Sequence, residues 1–238
     1  MEQSSPSSSP SRGGRTPAAS RRRQRTQEIL AATRAVFDER GLGDAQVEDI
    51  ARAVGINRAI VYRHFSGKEE LFALTLVGYL DELHDSLAAA DDRAAAPADR
   101  LERLVEAFAD YGLAHPAFVD CAQTLMRRTG PELLDEVSED AALRLGRAMA
   151  SCLGILTKVL VAGADAGDFH VSNPGALANL LYATGLGTLQ LARVGLLVEE
   201  GASGAPQIHT IEGATAKDYL VRSAVALATA PVTAQLKG

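Results

Sequence analysis

The densest group of side chains able to bind a ligand through charge and hydrogen bonds lies between Asn57 and Lys68. This short stretch carries two arginines, a histidine, a tyrosine and a lysine, and it reads NRAIVYRHFSGK. Cationic groups and hydrogen-bond donors at such spacing suit phosphate oxygens and the edges of bases. The stretch therefore indicates binding of a nucleic acid rather than covalent catalysis.

The residues before this stretch predict two short helices joined by a tight turn. Ile50, Ala51 and Val54 place an apolar stripe on the first helix. Gly55 supplies the positive φ that a tight turn needs, and Asn57 is a good N-cap for the second helix. This is the layout of a helix-turn-helix DNA-binding unit.

Two flanking helices complete the predicted N-terminal domain. A first helix should begin near Arg22 and bury apolar side chains such as Phe37 on one face. Gly41 and Gly43 should end this helix. Ser66 and Glu69 have the spacing of a capping box, which predicts the start of the next helix.

The sequence YRHFSGKEELF, preceded by a G-I-N turn, resembles the end of the DNA-binding domain of the TetR family, and the resemblance covers roughly residues 24 to 72. It implies base contacts by the first residues of the second helix and phosphate contacts by the residues around them. Gln46 and Ile60 stand where many members have hydroxyl residues. The implied base contacts are Arg58, Ala59, Ile60 and Arg63, and the other implied DNA contacts are Gln46, Asn57, Tyr62, His64 and Lys68.

The net charge of −6 conceals an uneven distribution of charge along the chain. Residues 1–70 carry 12 Lys and Arg against 9 Asp and Glu, whereas residues 71–238 carry 12 against 21. The segment from Arg12 to Arg25 has six arginines and no acidic residue. It is either a solvated tail or an arm in which Arg22, Arg23 and Arg25 contact the duplex.

Composition predicts a soluble, all-α protein without a membrane partner, in the cytoplasm. Its 47% hydrophobic content allows a large core, and Cys121 and Cys152 lack the spacing of a zinc site. The apolar run 159–164 is too short to span a bilayer. We expect a disordered Arg-, Ser- and Pro-rich arm at 1–20, a three-helix helix-turn-helix domain at 21–67 and a larger helical domain at 68–238. The resemblance implies that this larger domain binds a ligand and forms the dimer.

Apolar periodicity and prolines predict the C-terminal helices. A Gly-rich loop is expected at 199–213, and strand signals are nearly absent. The expected helices are 68–90, one from Pro97 to Pro116, a shorter one to about Arg128, a very long one from Pro131 to about Ala166, 174–194 and 214–230.

The resemblance implies a homodimer formed by the last two long helices of each subunit. Ala178, Gly185, Gly187 and Ala192 would let the helix backbones of two subunits approach closely. The same small residues equally suit helix packing within one subunit. A two-fold dimer would place two reading helices in successive major grooves, about 34 Å apart.

The resemblance also implies a pocket for a small, largely apolar effector in the C-terminal domain. No cofactor or metal is expected, and the candidate lining residues are equally compatible with a plain core. The candidates are Leu80, His84, Phe108, Tyr111, Phe118, Cys121, Leu125, Met149, Leu153 and Tyr182.

Two other classes of protein compete with a ligand-responsive repressor that binds a palindromic operator. An enzyme would need a nucleophile with a base, paired carboxylates or a phosphate loop, and we find none; Gly185-Leu186-Gly187 lacks the third glycine of a dinucleotide fingerprint. An adaptor that has lost DNA binding would not need Arg58, Arg63 or Lys68. Activation instead of repression stays open.

Overall fold

The computed structural model describes residues 17–202 and 204–231, and in this part of the chain it confirms an all-α fold with an N-terminal helix-turn-helix and a larger C-terminal helical body. Residues 1–16 of the arm predicted at 1–20 lie outside the described residues. The elements are α1 Pro17–Arg40, α2 Val47–Val54, α3 Arg58–Val61, α4 Lys68–Ala90, α5 Pro97–Ala114, α6 Pro116–Met126, α7 Gly130–Glu136, α8 Glu139–Ala166, α9 Pro174–Val194, β1 Leu196–Glu200, β2 Pro206–Thr210 and α10 Gly213–Thr229.

The first helix is longer than the sequence predicted. It begins at Pro17 rather than near Arg22, so residues 17–20, expected in the disordered arm, are helical. Proline suits the first position of a helix, and the alanines that follow have high helix propensity. Arg21, Arg22, Arg23 and Arg25 therefore follow on the same helix, which continues into the N-terminal domain.

The turn between α2 and α3 forms as predicted. Gly55 ends α2 with φ 70° and ψ 33°, and its N–H donates to the carbonyl oxygens of Ala51 and Arg52. Asn57 then caps α3, since its side-chain oxygen accepts a hydrogen bond from Ile60 N at 3.0 Å. Val61 is 1% exposed and anchors α3 to the core, which leaves the other face of α3 at the surface.

Helix α4 is the central element of the protein. Residues Glu70 to Val77 are buried without interruption, and Tyr79, Leu80 and Leu83 are buried further along the helix. The helix as a whole packs against α1, α5, α6 and α8. Helix α4 therefore contributes to the cores of both halves of the chain.

The predicted long helix from Pro131 is wrong, because two helices occupy this segment. Val137 adopts an extended conformation between α7 and α8, and its side chain is buried. Ser138 caps α8 by accepting from Ala141 N at 3.3 Å. A capping residue inside an apolar periodic pattern therefore ended one helix and began another.

The predicted capping box of Ser66 with Glu69 is also wrong. The carboxylate that accepts from Ser66 N, at 2.5 Å, is that of Glu70. Gly67 is the N-cap of α4, and its extended conformation brings the Glu70 side chain, rather than that of Glu69, back to Ser66.

The segment predicted as a Gly-rich loop contains an antiparallel hairpin of β1 and β2. Leu196 pairs with Thr210 and Val198 with Ile208 across the two strands. The hairpin is exposed, with Val198 71% and Ile208 67% accessible. Gly201 and Gly204 lie in its turn, so the glycines that suggested a loop mark the reversal of the hairpin.

Helix α8 is, among the described residues, the one helix long and apolar enough by length and composition to cross a membrane. In the structure its buried side packs on α4, α5 and α9.

Candidate DNA-binding surface and ligand cavity

The α2–α3 unit presents a polar surface built by the predicted DNA contacts. Arg58, Ala59, Tyr62, Arg63 and Lys68 are all exposed. Gln46 is the N-cap of α2 but makes no capping bond, so its side chain is free to contact a ligand. A shallow depression in this surface is lined by Gln46, Val47, Glu48, Asp49, Arg52, Arg58, Tyr62 and Lys68.

Two of the predicted DNA contacts, Asn57 and Ile60, have only part of their side chain available to a ligand. The side-chain oxygen of Asn57 caps α3, which leaves its amide NH₂ available for a phosphate. Ile60 is half-buried, so only part of this side chain can touch a base. Ile60 therefore offers an apolar contact and no hydrogen bond.

Arg58 is held in place by two neighbours. Its Nη1 lies 2.7 Å from Glu48 Oε1, its Nη2 lies 3.4 Å from the Tyr62 hydroxyl, and its guanidinium lies 5.3 Å from the centre of the Tyr62 ring. The hydrogen bond to Tyr62 and the charge of Glu48 raise the pKa of Arg58. The ion pair orients Arg58 and partly neutralises its positive charge.

His64 is half-buried against α1, where its Nδ1 lies 2.9 Å from Thr26 Oγ1. Burial first, and then the charges of Arg22, Arg25 and Arg63, lower the pKa of His64. These effects favour the neutral imidazole in the free protein. A phosphate placed beside these arginines would reverse the electrostatic part of the shift.

The predicted arm residues lie along the first turns of α1. Arg22 and Arg23 are exposed, and Arg25 Nη1 pairs with Glu28 Oε2 at 2.9 Å. The contact between Thr26 and His64 brings this part of α1 next to the residues that follow α3. Lys68 lies at the start of α4 with its Nζ 5.0 Å from the centre of the Phe72 ring.

Sequence reasoning missed three residues of this surface. Thr26 holds His64, Glu48 holds Arg58, and Arg52 lines the depression with a side chain that is 76% exposed. The i, i+4 spacing of Glu48 and Arg52 on a short helix places them on one face, which is the signal the sequence offered.

The C-terminal body contains a partly open apolar cavity of about 50 Å³. Residues from α4, α5, α8, α9 and α10 line it, so five helices meet around one space. The lining residues are Leu83, Leu87, Leu104, Val105, Phe108, Cys152, Leu153, Leu156, Leu181, Tyr182, Leu220 and Ala224.

Three of the ten predicted ligand contacts line this cavity: Phe108, Leu153 and Tyr182. The remaining seven lie elsewhere, because helical periodicity marks a buried face but not the part of the core where packing leaves a space. Leu80, Tyr111, Phe118, Cys121 and Leu125 are buried in the core, Met149 packs against it, and the side chain of His84 is 36% exposed next to Asp85.

The small residues predicted at a subunit interface divide between two environments. Ala178 is fully buried within the subunit, and a Cβ on Gly185 would lie 2.5 Å from the Phe108 ring. These two residues therefore pack inside one chain, which was the alternative that the sequence left open. A Cβ on Gly187 would meet open space, and Ala192 is half-buried.

Two polar clusters join the N-terminal domain to the helical body. Arg34 of α1 forms a bidentate ion pair with Glu82 of α4, and this pairing lowers the pKa of Glu82. Glu70 of α4 accepts from Ser66 N and from the Ser138 hydroxyl, each at 2.5 Å. The second cluster ties the end of the helix-turn-helix domain to the N-cap of α8.

The N-terminal domain is similar in sequence to known regulatory proteins. Residues 29–75 match the family described as "Bacterial regulatory proteins, tetR family". The chain is 34% identical over 100 residues to the HTH-type transcriptional activator FasR of Mycolicibacterium smegmatis, covering 42% of this chain and 44% of FasR. It is 40% identical over 80 residues to the HTH-type transcriptional repressor KstR2 of Mycobacterium tuberculosis, covering 34% of this chain and 40% of KstR2.

The fold of most of the chain is similar to that of solved regulators. The structure of RolR in complex with the ligand resorcinol superimposes with a TM-score of 0.63 at 12% identity, over 88% of this chain and 90% of RolR. At this identity the likeness concerns the fold alone. By sequence, the chain matches less than half the length of FasR and KstR2, and both of these relatives are transcriptional regulators.

Proposed function

We propose, from the premise that its N-terminal domain belongs to the TetR family, that this protein is a dimeric, ligand-responsive transcriptional regulator of a palindromic operator. Repression is the simpler direction of control, because a dimer on an operator blocks access by polymerase. The two relatives are named an activator and a repressor, so their names support regulation rather than its direction. The site of action is the cytoplasm, where the operator lies.

The observation that carries this proposal is the exposed polar face of α3 beside a row of arginines on α1. Arg58 and Arg63 would read base edges, since guanidinium groups bind guanine in the major groove. Tyr62, His64 and Lys68 would bind phosphates, which fix the register of the domain on the duplex. The arginines of α1 would add contacts that depend on salt but not on sequence.

Exposed apolar side chains on α9 and α10 support a homodimer through these helices. On α9, Leu180 is 62% and Leu191 40% exposed, and on α10 Tyr219 is 57% and Leu227 53% exposed. Such side chains on adjacent helices gain free energy when a second subunit covers them. Gly187 leaves room on the same helix for close approach of a partner.

The cavity supports a linkage between a small effector and DNA. Leu83 and Leu87 place α4 in its wall, and the first half of the same helix packs on α1. An effector that binds better to one position of α4 shifts the population toward that position, and DNA affinity changes by the ratio of its affinities for the two forms. RolR, similar in fold, holds resorcinol as a ligand.

Selection of binding sites from a random duplex pool, at about 0.1 M salt to suppress nonspecific phosphate binding, tests this proposal. We expect an inverted repeat whose half-sites lie about one helical turn apart. Replacing Arg58 and Arg63 together with alanine should abolish the enrichment, because both base-reading cations are lost.

A matched control variant also loses two positive charges, but at positions away from the proposed DNA-binding surface. Arg93 lies in the turn between α4 and α5 and Arg103 lies on α5, and the Arg93→Ala/Arg103→Ala variant should select the same repeat as the natural chain. Enrichment of the same repeat by the Arg58→Ala/Arg63→Ala variant would defeat the contact assignment. Absence of any enriched site would defeat the function as a sequence-specific regulator.

A further inference from the structure

We propose that Arg34 and Glu82 are positioning residues that make the protein selective for the spacing of the two half-sites in its operator, because they fix the direction of the N-terminal domain relative to the helical body. This role rests on the proposed function, which supplies the operator and the dimer. It adds the residues that hold each DNA-binding domain at one angle.

The chain passes from the N-terminal domain to the body through one helix, α4. Helix α1 carries the row of arginines, packs on α2, and also contacts α4 and α6. Side chains that join α1 to α4 therefore connect the DNA-binding unit to the helix that it shares with the body. Polar side chains at this contact have directional bonds, so they can fix an angle as well as a distance.

Two polar connections, one helical turn apart on α1, join it to α4. Arg34 donates to both carboxylate oxygens of Glu82, with 2.6 Å between Nη2 and Oε2. Asp38 accepts from the Tyr79 hydroxyl at 2.7 Å. Four residues of helix span about 6 Å. A single connection would act as a pivot, whereas two connections this far apart fix the direction of α1; we call Arg34, Asp38, Tyr79 and Glu82 the interdomain clamp.

The core of the body supports the interdomain clamp from behind. Tyr79 is fully buried, and the guanidinium carbon of Arg34 lies 4.4 Å from the centre of its ring. The hydroxyl of Tyr111, on α5, donates to the carbonyl oxygen of Tyr79 at 2.9 Å and lies 3.3 Å from Glu82 Oε2. Helix α5 therefore holds both residues that α4 contributes to the clamp.

The ion pair of the clamp has the features that separate a strong pair from an ordinary surface pair. Its geometry is bidentate, and Arg34 Nε also lies 3.6 Å from Asp38 Oδ2, so three charges form one network. Hydrogen bonding from Arg34 outweighs burial and lowers the pKa of Glu82. The pair therefore stays charged at neutral pH.

The direction of each N-terminal domain decides which operator a two-fold dimer can bind. One base pair added between the half-sites moves the second half-site by about 3.4 Å and rotates it by about 35° around the duplex. A domain held at one angle cannot follow this change. Binding to such an operator therefore requires that at least one clamp opens, and the free energy of the clamp is lost from binding.

Gel-shift titrations with three operators test this role. They are the selected repeat and the same repeat with one base pair inserted or deleted between its half-sites. The measured quantity is the ratio of the Kd for an altered repeat to the Kd for the selected repeat, which does not depend on the fraction of protein that is folded.

Glu82→Ala should lower this ratio about fivefold, because the variant has no ion pair to break when it binds the altered repeat; fivefold corresponds to about 1 kcal/mol. Tyr79→Phe removes only the hydroxyl that bonds to Asp38 and should lower the ratio about threefold. A general loss of stability would weaken binding to all three operators alike and leave the ratio unchanged.

Asp92→Ala is the matched control, because it removes the same charge and breaks an ion pair within the body, with Arg103 at 3.0 Å. It should leave the ratio as it is in the natural chain. A ratio that does not change in Glu82→Ala, or that falls equally in Asp92→Ala, would overturn the role of the clamp.

Spin labels measure the direction of the domain without DNA. Arg52→Cys on α2 and Leu143→Cys on α8 place labels at exposed positions on the N-terminal domain and on the body. Both natural cysteines are buried. In double electron–electron resonance, the distribution of distances between the labels should broaden when Glu82→Ala is added and should not change when Asp92→Ala is added.

The two measurements separate failure of the clamp from failure of the proposed function. If no operator is enriched, the proposed function fails, and the label distances decide the role of the clamp. Broadening confined to Glu82→Ala then supports a clamp that fixes the N-terminal domain, and an unchanged distribution overturns it.

Discussion

Replacing Glu70 with glutamine tests how the N-terminal domain is joined to the helical body. Glu70 is 6% exposed, and its two carboxylate oxygens accept from Ser66 N and from the Ser138 hydroxyl. Glutamine keeps the shape and can keep both bonds, with its oxygen toward Ser66 N and its NH₂ toward the Ser138 oxygen. The change therefore removes the charge and little else.

The expected loss follows from the strengths of the two bonds. A hydrogen bond to a charged group contributes about 1.5 to 3 kcal/mol and a neutral one about 1 kcal/mol, so two such exchanges should lower the free energy of unfolding by about 1 to 4 kcal/mol. Urea denaturation at pH 7, followed by circular dichroism, measures this difference. Glu69→Gln is the matched control, because Glu69 pairs with Arg128 at the surface and should contribute only about 0.5 kcal/mol.

The difference in stability between the natural chain and Glu70→Gln should also depend on pH. Burial tends to raise the pKa of Glu70, but the hydrogen bonds from Ser138 and Ser66 outweigh it, and the pKa lies below its ordinary value of 4.5. A carboxyl whose pKa is lower in the folded state stabilises the fold above its unfolded pKa. The difference between the natural chain and Glu70→Gln should therefore be full at pH 7 and shrink as the pH falls below 4.5 toward the folded pKa.

Two outcomes would contradict this role of Glu70. If Glu70→Gln costs no more than Glu69→Gln, the buried carboxylate does not hold the junction, and the capping box predicted from sequence regains support. A difference that stays constant down to pH 3 would show that the effect comes from packing and not from charge.

Two further predictions concern the DNA-binding surface and the core. Glu48→Gln should tighten operator binding about two- to fivefold in a gel-shift titration, because it frees Arg58 and removes a negative charge that faces phosphates; unchanged or weaker binding would contradict the competition between Glu48 and DNA. Gly185→Ala should destabilise the chain by about 1 to 3 kcal/mol in urea, since its Cβ would lie 2.5 Å from the Phe108 ring. Gly154→Ala on α8, where a Cβ meets open space, should be neutral or stabilising, and equal losses in both variants would argue against this close contact.

The helix-turn-helix was predictable because its signals are local. Gly55 must adopt a positive φ, Asn57 is placed to cap the next helix, and Val61 continues the apolar stripe, so neighbouring residues alone determine the turn. The helices that begin at prolines, α5, α6 and α9, were predicted for the same reason.

The errors fell where two local signals compete and packing decides between them. The segment after Pro131 has helical periodicity throughout, but burial of Val137 and capping by Ser138 divide it into α7 and α8. Likewise, Glu69 and Glu70 both follow Ser66 closely, and the contact of Glu70 with Ser138, distant in sequence, settles which carboxylate turns inward.

The sequence by itself determined the all-α class, the helix-turn-helix and the set of charged residues around α3, because these depend on spacing within a few turns of chain. Only the tertiary structure decided which buried side chains surround the cavity, that Gly185 faces Phe108, and that Glu48 holds Arg58. Periodicity records that a face is buried; which neighbours meet there, and where their packing leaves a space, depends on contacts between helices far apart in the chain.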